Sequence, residues 1–297
     1  VDQLAAFDAA SPLVSVRNLR LLVAESEPPA AREKRRESVG HSSGETYIET
    51  LRQIVPEAEF HRVKPADRGA SLPDQAGLAD YDAVFVTGSP LHLWEDGPEI
   101  RRELEFMRAV FASSTPAFGS CAGLQVANVA AGGTVRPMGK RREAGFARRI
   151  VATPAGQEHP LLEDRPAAFD APAVHTDEVA ELAPGGILLA SNEVTRVQAA
   201  EIRHEGGVFW GVQYHPEISL REVAAALRRQ ASDLIEHELA RSKADVEIVA
   251  TAVDDLAEAP ERVDLLWRLG LTEQVADFQN RTTELRNFIE SLVRPRI

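Results

Sequence analysis

Residues 81–125, YDAVFVTGSPLHLWEDGPEIRRELEFMRAVFASSTPAFGSCAGLQ, carry the decision about the fold. They contain two apolar runs, 81–87 and 116–120, each too short for a helix and each ending on small residues, Gly88-Ser89-Pro90 and Gly119-Ser120-Cys121. Between them, residues 98–110 repeat their apolar positions at intervals of three and four, the period of an amphipathic helix. Strand, helix, strand in that order predicts a parallel pair joined by a crossover, the unit from which a sheet covered on both faces is built.

The same rhythm extends outward. Residues 16–24 (VRNLRLLVA) read as an earlier buried strand, 45–54 as a helix through Tyr47, Ile48, Leu51 and Ile54, and 60–63 as another strand. Between the first strand and that helix lies ESEPPAAREKRRESVGHSSG, residues 25–44, whose paired prolines and dense charge read as a long surface loop, either mobile or folded as a lid over a pocket. From 146 to 210 the chain changes to short strands broken at Gly185-Gly186 and Gly206-Gly207, expected to form an antiparallel edge and connecting ribbons. After Ser219, Ala, Glu, Arg and Leu recur at helical spacing to the end. The expected fold is α/β, a doubly wound and mostly parallel sheet with flanking helices over residues 16–235, preceded by a leader at 1–15 and followed by a helical extension at 236–297. The apolar residues of that extension, Trp267, Phe278 and Phe288 among them, need cover. Capping of the protein's own core, dimerisation, and docking to another subunit are all open.

Composition narrows the function. Lys and Arg number 33 against 46 Asp and Glu, a formal net charge of -13, so the mean field repels phosphate backbones and anionic headgroups, and neither nucleic acid nor a membrane surface is an expected partner. No run approaches the roughly 18 apolar residues of a membrane span, and the opening residues lack a signal-peptide pattern, which predicts a cytoplasmic protein. The single cysteine, Cys121, excludes an internal disulfide and a multi-cysteine metal cage. His41, His61, His92, His159, His204 and His237 show no ligand spacing and read as ordinary polar residues, so no metal site is expected.

The chemistry concentrates in two motifs. Gly119-Ser120-Cys121-Ala122-Gly123-Leu124-Gln125 sets the thiol where a strand must turn sharply into a helix expected at 124–131. Small neighbours permit a tight turn, and the N–H groups at the start of the helix favour thiolate and could hold an oxyanion. Downstream, Gly211-Val212-Gln213-Tyr214-His215-Pro216-Glu217 puts an imidazole and a carboxylate two apart, on one face of an extended chain. The carboxylate can accept from one ring nitrogen and leave the other free to take a thiol proton.

Together with Thr87-Gly88-Ser89-Pro90 and Val174-His175-Thr176-Asp177-Glu178-Val179, these motifs resemble, in order, those of the class I glutamine amidotransferases, and in particular a stand-alone domain similar to the amidotransferase part of GMP synthases. The resemblance spans residues 16–234. It implies Cys121 as nucleophile, His215 as base and acid, and Glu217 as the group that orients it. The amide of Ala122 and an amide in the Gly88-Ser89 turn would be oxyanion donors, Gln125 would lie near the bound glutamine, and His175 and Asp177 would stand beside the glutamine pocket. Ser89 departs from the commoner Gly-Gly-Pro; it supplies the same N–H, but the turn keeps its shape only if that position does not need positive φ.

The implied reaction is hydrolysis of the γ-amide of L-glutamine through a glutamyl thioester, without metal or organic cofactor. No G-x-x-x-x-G-K-[ST] loop is present, so the ATP-using half is absent from this sequence. Ammonia would then pass to a separate synthetase subunit; alternatively the protein hydrolyses a γ-glutamyl amide or conjugate and needs no acceptor. A reading of another class, a noncatalytic binding or thiol-sensing module, leaves Glu217 beside His215 without a purpose.

Overall fold

The computed structural model describes residues 18–296. The leader at 1–15 and the first two residues of the expected opening strand lie outside the described residues. The strands are β1 (Arg20–Ala24), β2 (Glu59–Val63), β3 (Ala83–Val86), β4 (Ala117–Ser120), β5 (Thr134–Pro137), β6 (Ala144–Ala152), β7 (Phe169–Val174), β8 (Asp177–Glu181), β9 (Ile187–Ser191), β10 (Ala199–His204) and β11 (Gly207–Val212). Among the described residues, nine of them form one sheet in the order β2-β1-β3-β4-β11-β10-β9-β6-β7, and β5 pairs with β8. The first five strands of that order are mutually parallel, and from β11 through β7 every neighbour is antiparallel. The doubly wound sheet and its antiparallel edge are therefore as the alternation of short apolar runs and glycine breaks predicts.

Helices cover both faces. On one side α4 (Pro98–Ser113) and α5 (Ala122–Ala130), with the short α3 (Gln75–Ala79), bury Phe106, Met107, Phe111 and Leu124 against Val84, Val86 and Phe209. On the other, α2 (Ser43–Ile54) buries Tyr47 and Leu51 against Leu21, Val23, Phe85 and Phe118. Its start is fixed by a capping box, in which Ser42 accepts from the Glu45 N–H and Glu45 from the Ser42 N–H.

Residues 25–44 are not a loop. Pro29–Val39 forms helix α1, opened by a proline at its first turn and closed by Gly40 at φ 84°. Arg32 is its one buried residue, paired with Glu25 at 3.4 Å and Asp67 at 2.6 Å. A helix held by ion pairs has no apolar stripe to read, and the prolines that suggested a loop sit where a helix tolerates them.

After the short helix α6 (Pro154–Gln157), the chain continues past β11 into α7 (Leu220–Arg229), α8 (Ala231–Glu236), α9 (Lys243–Glu258) and α10 (Val263–Leu269). With Phe146 and Ile218, residues of these helices make a further apolar cluster around Val223, Val253 and Leu256. Short turns at Glu273–Ala276 (α11) and Phe278–Arg281 (α12) lead to α13 (Thr283–Phe288), which enters the main core. The Phe288 ring lies 5.4 Å from Phe85, 5.6 Å from Phe118 and 5.9 Å from Trp210, centroid to centroid. Glu284, fully buried, receives the Arg165 guanidinium at 2.7 Å and the Tyr214 hydroxyl at 2.8 Å. Trp267, by contrast, is 79% exposed. Among the described residues no helix is long and apolar enough to cross a membrane.

Candidate active site

The strand order reverses between β1 and β3, and in open α/β sheets the crevice beyond the carboxyl ends of the strands at such a point receives ligands. Gly88 follows β3, Cys121 follows β4, and His215 lies just beyond β11. The β4–β11 register pairs Gly119 with Gly211 and Ser120 with Val212, and the Cys121 N–H donates to the Val212 carbonyl at 2.8 Å. Parallel pairing thus brings the two distant motifs to one place.

Cys121 sits at φ 53°, ψ −112°, a conformation costly for a side-chain-bearing residue and characteristic of a nucleophile elbow. The flanking glycines permit it. A Cβ on Gly123 would stand 2.4 Å from the Val86 carbonyl oxygen, and one on Gly119 would meet Phe209 at 2.9 Å. α5 starts at Ala122, two residues earlier than the expected 124–131, so its first-turn N–H groups, which have no intrahelical acceptor, lie directly beside the sulfur. The sulfur is 4.0 Å from the Val174 carbonyl.

The His215 Nδ1 contacts Glu217 Oε1 at 2.7 Å, which leaves Nε2 for the thiol, and its backbone N–H donates to Pro172 at 2.7 Å. Burial alone would lower the affinity of this imidazole for its second proton; Glu217 and Cys121 beside it outweigh that and hold it well above the ordinary histidine range. The Ser120 hydroxyl donates to the same Glu217 oxygen at 2.9 Å, a contact invisible in the sequence, where Ser120 reads only as a small elbow residue.

The Gly88-Ser89 turn faces this pair. A Cβ on Gly88 would come within 2.9 Å of His215 Cε1 and 3.7 Å of Cys121 Cβ. Neither Gly88 nor Ser89 has positive φ, so serine fits the turn, and its hydroxyl donates to the Ser26 carbonyl at 2.9 Å.

The remaining expected residues gather on the other wall. Gln125 Nε2 donates to the Asp177 carbonyl at 3.0 Å and to Gln213 Oε1 at 3.2 Å. Asp177 Oδ2 meets His92 Nδ1 at 2.7 Å, while its Oδ1 is buried without a partner. His92, expected to be an ordinary polar residue, is therefore part of the site, and its one sequence signal is its place just after the Gly88-Ser89-Pro90 turn. His175 is buried with Nδ1 2.9 Å from the Asp177 carbonyl and Nε2 2.7 Å from Glu143 Oε2. Burial would raise the Glu143 pKa, but His175, Asn192 and Gln198 beside the carboxylate hold it below the usual range. Glu143 thus anchors His175 from behind, another role absent from any local motif.

Of the nine expected residues, Ala122 is buried at the start of α5 next to Cys121, and the other eight, Gly88, Ser89, Cys121, Gln125, His175, Asp177, His215 and Glu217, line one cavity of about 600 Å³. Its far wall is α1 and the α7–α8 region, through Ala31, Lys34, Arg35, Ala226 and Arg229. Arg35 donates to Glu222 at 2.8 Å, and Thr46 donates to the same oxygen at 2.6 Å. Burial and the nearby Arg35 push the Arg229 guanidinium below its ordinary value.

Comparison with known proteins agrees with this architecture. Residues 43–234 match the family model "Glutamine amidotransferase class-I". A γ-glutamyl-L-1-hydroxyisopropylamide hydrolase from a Pseudomonas species is 33% identical over 287 residues, covering 94% of this chain and 95% of that protein. The GMP synthase of Leifsonia xyli subsp. xyli is 32% identical over 175 residues, 59% of this chain, and the match spans 31% of that protein. A glutamine amidotransferase structure from Thermotoga maritima superposes with a TM-score of 0.59 at 16% identity, covering 93% of this chain and 99% of that one, a likeness of fold. The chain belongs to the class I glutamine amidotransferase family and is a hydrolase of that family.

Proposed function

We propose that this protein is a self-sufficient γ-glutamyl amide hydrolase whose leaving amine is larger than ammonia. The observation that carries the reading is the cavity, which runs from Cys121 to the wall made by α1 and the α7–α8 region, and whose volume of about 600 Å³ leaves space beyond a γ-glutamyl group. Cavities of about 300–1,000 Å³ commonly enclose ligands much larger than glutamine. The whole-length likeness to a γ-glutamyl amide hydrolase supports it, since that relative matches the α1 segment and the C-terminal helices as well as the common core.

In this reading Cys121 gives its proton to His215 Nε2, and the thiolate attacks the γ-carbonyl carbon. The carbonyl π pair moves onto oxygen, held by the N–H of Ala122 and an N–H of the Gly88-Ser89 turn. Collapse of the intermediate breaks the C–N bond, and the departing amine takes the proton from His215. Water then attacks the glutamyl thioester while His215 removes its proton; the C–S bond breaks, and glutamate and the cysteine are released. Glu217 holds the imidazolium through both halves. Asp177, with Oδ1 unpartnered, is suited to the substrate's α-ammonium group, and Gln125 and His175 fix the Asp177 backbone that presents it.

Production of ammonia for a separate synthetase subunit is the rival, and the partial matches to GMP synthases favour it. The two separate on a series of γ-glutamyl alkylamides of increasing amine size. The proposed function predicts kcat/KM rising above that for L-glutamine by tenfold or more for the chain alone. Turnover of glutamine only, and only with an added synthetase, would contradict it.

A further inference from the structure

The carboxylate of Glu217 is held from behind by a hydroxyl pair that no part of the reaction touches. Ser120 is the last residue of β4, with its side chain on the α2 face of the sheet, and its Oγ lies 2.9 Å from Glu217 Oε1 and 2.9 Å from the Tyr47 hydroxyl. Ser120 and Tyr47 are fully buried and Glu217 is 5% exposed, so water does not compete for these bonds. A carboxylate only accepts, hence the Ser120 proton must point at Glu217, and the Ser120 oxygen must accept from Tyr47. Burial, and Glu217 and Cys121 close by, raise the Tyr47 pKa well above its ordinary value, which keeps it a donor.

Both donors to the carboxylate, Ser120 and His215, converge on Oε1, and Oε2 is buried with none. Among the described residues, Ser120 is therefore the one group besides His215 that sets the rotation of this carboxylate. Helix α2 grips Glu217 a second time, because Thr50 Oγ1, one turn on from Tyr47, donates to the Glu217 carbonyl at 2.8 Å. We propose that Ser120 and Tyr47 are positioning residues, a directed chain from Tyr47 through Ser120 to Glu217 that holds the carboxylate in the orientation His215 requires. The proposal rests on the reading of Cys121, His215 and Glu217 given above, and it assigns a function to the hydroxyl immediately before the nucleophile.

The test is a double-mutant cycle on the full chain with a γ-glutamyl amide as substrate, alongside Cys121→Ala. Ser120→Ala should lower kcat about tenfold with KM changed less than about twofold, the size of effect typical when a group orienting a functional side chain is removed. Tyr47→Phe keeps the ring and should lower kcat about threefold, as for loss of one neutral hydrogen bond. Because Tyr47 acts only through Ser120, Tyr47→Phe should cost nothing further in the Ser120→Ala background. Ser120→Thr, which keeps the hydroxyl, should recover most of kcat, and melting curves of each variant report folding. Wild-type kcat in Ser120→Ala, or an equal loss from Tyr47→Phe in both backgrounds, would overturn the chain while an inactive Cys121→Ala left the catalytic reading intact. Turnover by Cys121→Ala would instead overturn the reading beneath it.

Discussion

At the scale of single residues, the site is a set of groups whose charge is settled by what surrounds them. Glu103 shows what burial does to a carboxyl group. It is fully buried on α4, accepts from the Ser26 hydroxyl at 2.9 Å, and has its other oxygen without a side-chain partner. Burial dominates and pushes its pKa from 4.5 up to about 7. Between those values the folded chain retains a proton that the unfolded chain has lost, so this group's contribution to stability is whole below about pH 4.5 and falls as pH rises through 7. The total loss is about 3 kcal/mol. Glu103→Gln is expected to be relatively more stable at pH 8 than at pH 5, with a flatter dependence, when urea midpoints are compared across that range. Most of the site's residues were legible because the chemistry demands local patterns: two glycines around one cysteine, and a histidine two residues from a glutamate. Ser120, Tyr47, Glu143 and His92 were not, because each acquires its partner through strand pairing or a crossing helix far along the chain.

At the scale of elements, α1 is the part the sequence hid most completely. Hydrophobic periodicity finds helices that bury an apolar stripe, whereas α1 buries Arg32. Its charge density reads as solvation, yet Arg32 joins Glu25 at the end of β1 to Asp67 beyond β2. Removing one partner from a buried pair leaves the other charge stranded, at a cost of about 3 kcal/mol. Arg32→Ala should lose about that much in chemical denaturation. In the proposed function α1, which lines the cavity, stands on its amine side, so KM should rise several-fold for γ-glutamyl amides with bulky amines and less for glutamine. Equal changes for both substrates would mean that α1 does not contact the amine. The strands up to β4, by contrast, were readable one by one, because short apolar runs of β-type residues separated by helical periods admit few other arrangements.

At the scale of the whole molecule, the C-terminal helices divide their apolar residues between two cores, and this division could not be read from helical periodicity alone. α13 contributes Leu285 and Phe288 to the main core, and Glu284 to a buried pair with Arg165 that also receives Tyr214, the residue before His215. Glu284→Ala strands Arg165 and should cost about 3–5 kcal/mol, read as a fall in urea midpoint. Truncation before Glu236 would uncover the ring packing around Phe85, Phe118 and Trp210, and is expected to give an aggregating protein. A soluble, active truncated chain would show that α13 is dispensable for the core.

The central claim, that this chain alone cleaves a γ-glutamyl amide through a thioester on Cys121, is tested most directly by quenching the purified protein in acid during turnover and measuring the mass of the peptide that carries Cys121. One glutamyl group is expected on that peptide, formed together with an equal amount of free amine and lost on further incubation as glutamate appears. Continued amide cleavage with Cys121 unmodified and replaceable by alanine would contradict it.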